Sequence, residues 1–340
     1  MFGETSSVAD IRRFVRAVYR GVLRREPDDA GHASWTKSIL SGTTAAEVVE
    51  AFTDSVEFKQ ATATRMFVPA GHFYSPIVDT AEADRYLAEM ESRGIPASVP
   101  AVSIDHITML RKWNELTPLM KSAPFGETPA SGLRYGYGNL SYSWGDGSVL
   151  HAMLRLYRPK KLIEIGSGYS SICTLDTVER YLKGECQLTF IDPYPQLLLK
   201  LIGEAAAHVR ILGRRVQQIP LETFDELGAG DILFIDSTHV LRTGSDVCFE
   251  LFEVLPRLAK GVLVHIHDMF WPFEYPRDWV IDENRSWNEL YAVRAFLMCN
   301  SAWKVVMFND YMAKLQRPLI ESTFAPFLRN SGGALWLQRS

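Results

Sequence analysis

The stretch Lys161-Leu162-Ile163-Glu164-Ile165-Gly166-Ser167-Gly168-Tyr169-Ser170-Ser171 decides the fold of this chain. It opens with a short apolar run that is typical of a parallel strand buried on both faces. Gly166 and Gly168 permit positive φ angles and let the backbone approach a ligand closely. We expect Ser170 or Ser171 to cap the helix that follows. The stretch therefore predicts a strand, a glycine turn and a helix start, an arrangement that holds a nucleotide-type ligand.

The next strand supports the same interpretation. Gln187 to Ile191 forms a second apolar run, and Asp192 follows it directly. A carboxylate at the end of that strand can accept hydrogen bonds from ribose hydroxyls. A dinucleotide site would favour a third glycine or an alanine at position 171, where this chain has a serine. Glycine turns also occur as plain tight turns, but the order of strand, turn, helix, strand and acid favours a ligand site.

Beyond residue 131 the sequence alternates between strand and helix patterns. We expect Asp146 to cap the helix that precedes the first strand. The later predicted elements are helix Leu197–His208, strand Val216–Ile219, strand Asp231–Ile235, helix Ser245–Leu258, strand Gly261–Ile266, helix Trp287–Cys299, and an antiparallel pair of Trp303–Phe308 with Ala334–Gln338. This plan predicts an α/β fold with a doubly wound sheet, whose ligands bind outside the carboxyl ends of the strands.

Two of these strands end in polar residues. Asp236 and His239 follow one strand, and His267 and Asp268 follow the next. Both acids should therefore lie at the same edge of the sheet as the glycine turn. Two carboxylates with imidazoles form a plausible site for a divalent cation. An alcohol is a poor nucleophile, so a reaction at its hydroxyl oxygen needs a base or a cation, and His239 is suited to be the base because imidazole titrates near neutrality.

At these residues the sequence resembles class I S-adenosylmethionine-dependent methyltransferases, over about residues 131–340. The resemblance implies a Rossmann-like sheet and a cofactor site formed by Glu164, Gly166, Ser167, Gly168 and Asp192. The pattern Asp236-x-x-His239, with a ligand pair at the next strand end, resembles metal-dependent sugar O-methyltransferases.

In those sugar-modifying relatives the residues corresponding to Asp236, His267 and Asp268 bind magnesium, and the residue corresponding to His239 is the base. The pair in this chain opens with a histidine where the relatives have glutamate. The resemblance therefore implies a divalent metal, with magnesium, manganese or another ion as the candidates.

The loop after Asp268 is rich in aromatic residues, including Phe270, Trp271, Trp279 and Trp287. Flat aromatic faces beside polar groups suit sugar rings, although the same composition could pack a lid.

The N-terminal region differs from residues 131–340 in its residue pattern. We predict a helical adaptor module over residues 1–62, a proline-rich connector and partial lid over 63–130, and the methyltransferase domain over 131–340. Residues 23–35, with Ser55, Glu57 and Phe58, resemble a small helical domain of unknown function related to phycobilisome linkers. That resemblance implies an adaptor that binds a protein partner, and a merely stabilising bundle is the alternative.

Composition limits the partners and the cellular location that we expect. The 340 residues carry a formal net charge of -4 and are 47% hydrophobic, which gives no general attraction to nucleic acid or to anionic membranes. No apolar run reaches transmembrane length, and charged residues interrupt the first twenty positions, so we expect a cytoplasmic protein.

The combined prediction is an S-adenosylmethionine-dependent O-methyltransferase that acts on a hydroxyl of a sugar or other glycan acceptor. The alternatives are a nicotinamide-dependent nucleotide-sugar oxidoreductase or epimerase, and a non-catalytic scaffold of surface-polysaccharide assembly. The form Glu164-x-Gly166-x-Gly168 argues against the oxidoreductase.

Overall fold

The computed structural model describes residues 7–63, 67–203 and 209–340, and it divides into two compact units, 1–83 and 84–340. The division lies inside the predicted connector of residues 63–130. No helix in the described part of the chain combines the length and the apolar character needed to span a bilayer.

The first unit is a small bundle built from α1 (Val8–Val18), α2 (Asp29–Leu40), α3 (Ala45–Asp54) and α4 (Val56–Ala63). Each of the first three helices begins at a side-chain cap, and the Thr44 cap of α3 is completed by Glu47 in a capping box. The core of this unit consists of residues that repeat at helical spacing, namely Ile11, Val15, Val18, Tyr19, Ile39, Val48 and Phe52.

The second unit is a three-layer α/β structure. Its strands within the described residues are β1 (Lys161–Ile165), β2 (Gln187–Ile191), β3 (Arg210–Leu212), β4 (Ile232–Ile235), β5 (Leu263–Ile266), β6 (Trp303–Phe308) and β7 (Leu335–Arg339). They form one sheet in the order β3-β2-β1-β4-β5-β7-β6. The first five strands are parallel, and β7 runs antiparallel to both β5 and β6. The predicted doubly wound sheet and its terminal antiparallel pair are therefore confirmed.

Helix α5 (Thr80–Ser92) includes Asp84, the first residue of this unit. The helices that follow within the described residues are α6 (His106–Lys121), α7 (Trp144–Tyr157), α8 (Tyr169–Tyr181), α9 (Gln196–Ile202), α10 (Glu222–Asp225), α11 (Asp246–Phe249), α12 (Arg277–Ile281), α13 (Glu289–Leu297), α14 (Asn309–Leu315) and α15 (Arg317–Phe324). The strand order reverses between β1 and β4, which places the ligand crevice outside the carboxyl ends of these two strands.

Three predicted elements differ from the structure. The helix predicted over Ser245–Leu258 is observed as α11, a π-helical turn over Glu250–Val254 and a 3-10 turn over Leu255–Arg257. The third strand is Arg210–Leu212, whereas Val216–Gln218 is a 3-10 turn whose buried Val216 imitates a strand pattern. The predicted helix Leu197–His208 is observed as α9, which ends before Gly203, and residues 204–208 lie outside the described part of the chain.

Part of the predicted connector is core structure. Helix α6 continues through Pro118, because a buried face that includes Met109, Trp113 and Leu116 compensates for the backbone hydrogen bond that proline cannot make. The indole of Trp113 also donates to the hydroxyl of Thr323 at 3.0 Å. Helix α6 is therefore a structural part of the second unit.

Candidate active site

The glycine turn follows β1 directly. Gly166 has a φ of +82°, and its N–H donates to the carbonyl of Ile191 at 2.9 Å. A Cβ atom at this position would overlap the backbone carbonyl of Asp236 on the neighbouring strand end. Glycine is therefore required here for two reasons, the backbone conformation and the close approach of β1 to β4.

The acid before the turn is fully buried beneath it. Oε1 of Glu164 accepts hydrogen bonds from the hydroxyls of Ser170 at 2.6 Å and Ser171 at 2.9 Å. Among the described residues, Oε2 has no hydrogen-bond partner. Burial raises the pKa of Glu164 to about 8, against the opposing effect of the two hydroxyls. Glu164 thus ties β1 to the first turn of α8 and does not line the cleft above.

The expectation that Ser170 or Ser171 caps α8 is wrong. The N-cap residue is Gly168, and the two serines lie inside the first turn. The hydroxyl of Ser171 accepts a hydrogen bond from the Gly168 N–H at 3.0 Å. The serines face inward because the buried carboxyl of Glu164 needs hydrogen-bond donors.

Asp192 lies beside the glycine turn, directly after β2. Its Oδ2 accepts from the Ser167 hydroxyl at 2.6 Å, and its Oδ1 accepts from the backbone N–H of Tyr194 at 2.7 Å. These bonds orient the carboxylate at the rim of a cleft of about 740 Å³. The cleft wall includes Gly166, Ser167, Asp192, Gln217, Asp236 and Thr238. Of the predicted cofactor residues, Gly166, Ser167 and Asp192 therefore line this cleft. Gly168 is the N-cap residue of α8, and Glu164 is bonded to the serines of the first turn of that helix.

The predicted acids and imidazoles meet at the ends of β4 and β5. These strands pair in parallel with Ile235 opposite Ile266, so the residues after them emerge side by side. Nε2 of His239 lies 3.5 Å from Oδ1 of Asp236 and 3.5 Å from Oδ2 of Asp268. Nε2 of His267 lies 3.4 Å from Oδ1 of Asp268. The structure thus brings together all four residues that the sequence singles out for catalysis and metal binding.

Two of these residues adopt left-handed backbone conformations. His239 has a φ of 60° and Asp268 a φ of 56°, both unusual for residues with a Cβ. The carbonyl of His239 accepts hydrogen bonds from the N–H groups of Asn288 and Glu289, both at 3.1 Å, which stabilise the strained loop. Strain of this kind is concentrated at functional sites.

Glu289, at the start of α13, is a site residue that the sequence reasoning missed. Its buried carboxylate Oε2 lies 2.8 Å from Nδ1 of His239. A glutamate in the first turn of a helix is common, so its position carries no distinctive sequence signal. The available signal is the segment Trp287-Asn288-Glu289 in the aromatic loop, a loop whose composition suits a sugar ring.

The surrounding charges set the protonation of this cluster. Burial lowers the pKa of His239, but contacts with Asp236 and Glu289 outweigh it and raise the pKa to about 11. Burial likewise opposes ionisation of Asp236, yet the positive charges of His267 and His239 lower its pKa to about 2. The ligand-free cluster is therefore a protonated imidazole held among carboxylates.

The side chains fit a divalent cation in chemical type, because carboxylate oxygens and imidazole nitrogens are its common ligands. Within residues 7–63, 67–203 and 209–340, however, no three His, Cys, Asp or Glu side chains are arranged to hold a metal ion. The imidazole of His239 lies between Asp236 and Asp268 and contacts both. Metal binding by Asp236, His267 and Asp268 therefore stays a prediction.

A second pocket, of about 440 Å³, opens on the other side of Asp236. Its wall includes Asp146, Asp236, His267, Asp268, Phe270 and Trp279.

Asp146 does not cap α7 as predicted. Its Oδ1 instead accepts hydrogen bonds from the Asn309 side chain and the Ala334 N–H, both at 3.1 Å, because the carboxylate turns inward toward the loop before β7. Burial raises the pKa of Asp146 to about 7.

Comparison with known proteins agrees with this arrangement. Residues 163–269 match the family model described as a methyltransferase domain, and residues 2–62 match a domain of unknown function, DUF4214. An uncharacterized protein of Archaeoglobus fulgidus is 26% identical over 161 residues, which cover 47% of this chain and 73% of that protein.

Two solved structures are also similar in part. The O-methyltransferase TomG of Streptomyces achromogenes, in complex with S-adenosylmethionine, has a TM-score of 0.39 and 14% identity over 76% of this chain and 96% of its own. The methyltransferase PaMTH1 of Podospora anserina, bound to S-adenosylhomocysteine, has a TM-score of 0.38 and 13% identity over 81% and 99%.

Residues 163–269 thus match a methyltransferase-domain model, and the predicted enzyme class, an S-adenosylmethionine-dependent methyltransferase, is confirmed. The DUF4214 match assigns no role to the N-terminal module, so an adaptor with a protein partner stays a prediction.

Proposed function

We propose that this methyltransferase transfers its methyl group to a hydroxyl of a sugar or glycoconjugate, with His239 as the general base. One observation carries the proposal: Asp236 lines both the cleft beside the glycine turn and the pocket beside His267 and Asp268. A donor in the first and an acceptor in the second would meet at this residue. Methyl transfer needs such an in-line approach of two bound groups.

The cofactor would occupy the 740 Å³ cleft. S-adenosylmethionine, when bound, supplies an electrophilic methyl group on a sulfonium. Asp192 is oriented to accept hydrogen bonds from ribose hydroxyls, as an acid at the end of β2 does in related sheets. Gly166 and Gly168 leave the backbone open to the ligand, and Glu164 fixes their turn through two serine hydroxyls. Within the described residues Oε2 of Glu164 is a buried acceptor without a hydrogen-bond partner, which an ordered water can satisfy.

The base would act through Nε2 of His239. Glu289 holds Nδ1 at 2.8 Å, which fixes the ring and leaves Nε2 directed at the two aspartates. Nε2 must be unprotonated to accept the proton of the acceptor hydroxyl. The carboxylates favour the protonated ring, so additional positive charge at the site is needed to lower its pKa.

Divalent metal binding belongs to the proposal as well. Asp236, His267 and Asp268 would hold the ion, and its charge would lower the pKa of an acceptor hydroxyl. In the part of the chain that the structure describes, Nδ1 of His267 is buried without a hydrogen-bond partner, which leaves this nitrogen available as a ligand.

A sugar acceptor is favoured by the pocket wall. Phe270 and Trp279 pack edge to face, with ring centroids 5.2 Å apart, and both line the pocket beside the acids. An aromatic face next to oxygen ligands matches the apolar face and the hydroxyl edge of a sugar ring.

The test is transfer of labelled methyl groups from S-adenosylmethionine to a panel of sugars and cell-surface glycans. We expect label on at least one glycan, and a loss of about a hundredfold or more in His239→Ala. Asp225→Asn, which changes an exposed acid paired with Arg257, is the matched control and should keep full activity. Transfer that is equal in His239→Ala and the control would contradict the assignment of the base.

A further inference from the structure

Arg285 lies in the wall of the 440 Å³ pocket that the proposed function assigns to the acceptor, and two tryptophans hold it there. Its guanidinium carbon lies 3.9 Å from the ring centroid of Trp279 and 4.7 Å from that of Trp287. The two indoles are nearly perpendicular, with centroids 5.5 Å apart. The Arg285 N–H also donates to the carbonyl of Trp279 at 3.0 Å, so the backbone is fixed as well as the side chain.

Most of the hydrogen-bonding capacity of this guanidinium is unused. Nε donates to Oε2 of Glu283 at 2.6 Å. Within residues 7–63, 67–203 and 209–340, the two terminal nitrogens of Arg285 have no hydrogen-bond partner. A guanidinium group keeps its positive charge and offers its donors in a planar fork that matches a carboxylate or phosphate. The pocket therefore contains a fixed, half-buried cation with free donors.

The position of Arg285 relates it to the chemistry. Trp287, which stacks on the guanidinium, also contacts the ring of His239 at a centroid distance of 4.5 Å. Arg285 and the acids Asp236 and Asp268 line the same 440 Å³ pocket. A molecule that presents a hydroxyl to the acids would be repelled if its negative charge lay beside Asp236 and Asp268 too. Among the described residues that line this pocket, Arg285 offers an anionic group a cation away from these two acids.

We propose that Arg285 is a specificity residue that binds an anionic group, a carboxylate or a phosphate, on the methyl acceptor. This inference rests on the proposed function and narrows its substrate class to acidic sugars. The stacked indoles hold the guanidinium in its binding orientation before the acceptor arrives, which reduces the entropy lost on binding.

The experiment measures acceptor binding by ligand-observed NMR and calorimetry on the full chain saturated with S-adenosylhomocysteine. The probes are methyl β-D-glucuronide, glucose 6-phosphate and neutral methyl β-D-glucoside. We expect one or both anionic probes to bind at least about tenfold more tightly than the neutral glucoside. Preference for the glucuronide or for the phosphate distinguishes the two sources of charge. Absence of any difference between anionic and neutral probes, whether all bind or none does, overturns the inference.

Two variants of Arg285 test whether its side chain recognises the anionic group or only supports the fold. Arg285→Gln should abolish the anionic preference, and Arg285→Lys should restore part of it because the charge remains while the fork is lost. Arg339→Gln is the matched control, since Arg339 also stacks on a tryptophan, Trp303, but does not line the pocket. An anionic preference that persists in Arg285→Gln overturns the inference.

Failure of the proposed function can be distinguished from failure of the role assigned to Arg285. If the wild-type chain does not bind S-adenosylhomocysteine, the methyl-donor site itself is wrong. If S-adenosylhomocysteine binds equally to wild type and Arg285→Gln while the acidic probes show no preference, only the role of Arg285 is wrong.

Discussion

Replacement of Gly166 by alanine tests the geometry of the glycine turn most sharply. A new Cβ would overlap the backbone carbonyl of Asp236, and backbone cannot move aside as a flexible side chain can. Gly184 is the matched control, because its φ of +72° is similar to the +82° of Gly166. Apart from its chain neighbours, no atom of the described residues lies within 4 Å of the position that a Cβ at Gly184 would take. The pair of variants therefore separates the conformational cost from the collision.

The magnitudes follow from these contacts. Gly184→Ala should cost about 1 to 2 kcal/mol, the usual cost of a left-handed conformation for a residue with a Cβ. Gly166→Ala carries the same cost and must also separate the ends of β1 and β4, where the Asp236 N–H donates to the Ile165 carbonyl at 2.8 Å. Loss of that buried hydrogen bond with its packing raises the total to about 3 to 5 kcal/mol.

The assay is urea unfolding followed by circular dichroism, together with calorimetric binding of S-adenosylhomocysteine. We expect Gly166→Ala to lose at least about 2 kcal/mol more than Gly184→Ala. Binding should be weakened in Gly166→Ala alone, because the turn and Asp236 line the cleft. Equal destabilisation of the two variants would refute the reasoning.

Three further predictions concern the buried carboxylates and the metal. Burial raises the pKa of Glu164 to about 8 from an ordinary value near 4.5, so its neutral form favours folding below pH 4.5 and that stabilisation is lost as the pH rises to about 8. Wild type should thus lose up to about 5 kcal/mol relative to Glu164→Gln between pH 4.5 and 8.5 in urea unfolding, and parallel pH profiles would disprove the assignment. Glu289→Gln removes a carboxylate that raises the pKa of His239, so the acidic limb of the methyl-transfer profile should move at least about one unit to lower pH, whereas an unmoved limb would exclude the pairing. Chelation by EDTA and Asp236→Ala should each reduce methyl transfer about a hundredfold or more, and full activity in both would remove the cation from the mechanism.

The fold could be predicted largely because its central strands are apolar and short. Strand β2 lies over the predicted range, Gln187–Ile191, and the acids that follow the strands meet at one edge as parallel topology requires. The third strand was misplaced because β3 is a three-residue edge strand with little apolar signal. The buried Val216 in the turn after it gave a stronger pattern.

The active-site details that were missed depend on contacts between distant parts of the chain. Glu289 lies fifty positions from the His239 that it contacts, and Asp146 bonds to groups near the C-terminus. Ser170 and Ser171 matched a capping pattern, but the need of buried Glu164 for donors prevailed over helix capping. Local sequence patterns report propensity, whereas these side chains are oriented by the burial of polar groups.

Calorimetric titration with S-adenosylhomocysteine tests the central claim most directly, because it needs neither the acceptor nor the metal. We expect one binding site in the wild-type chain and a loss of about tenfold or more in affinity in Asp192→Ala, since its carboxylate lines the cleft and is oriented there by Ser167 and Tyr194. Asp225→Ala, at an exposed acid outside the cleft, should bind as wild type does. No binding by the folded wild-type chain, or equal binding by wild type and Asp192→Ala, would contradict the account.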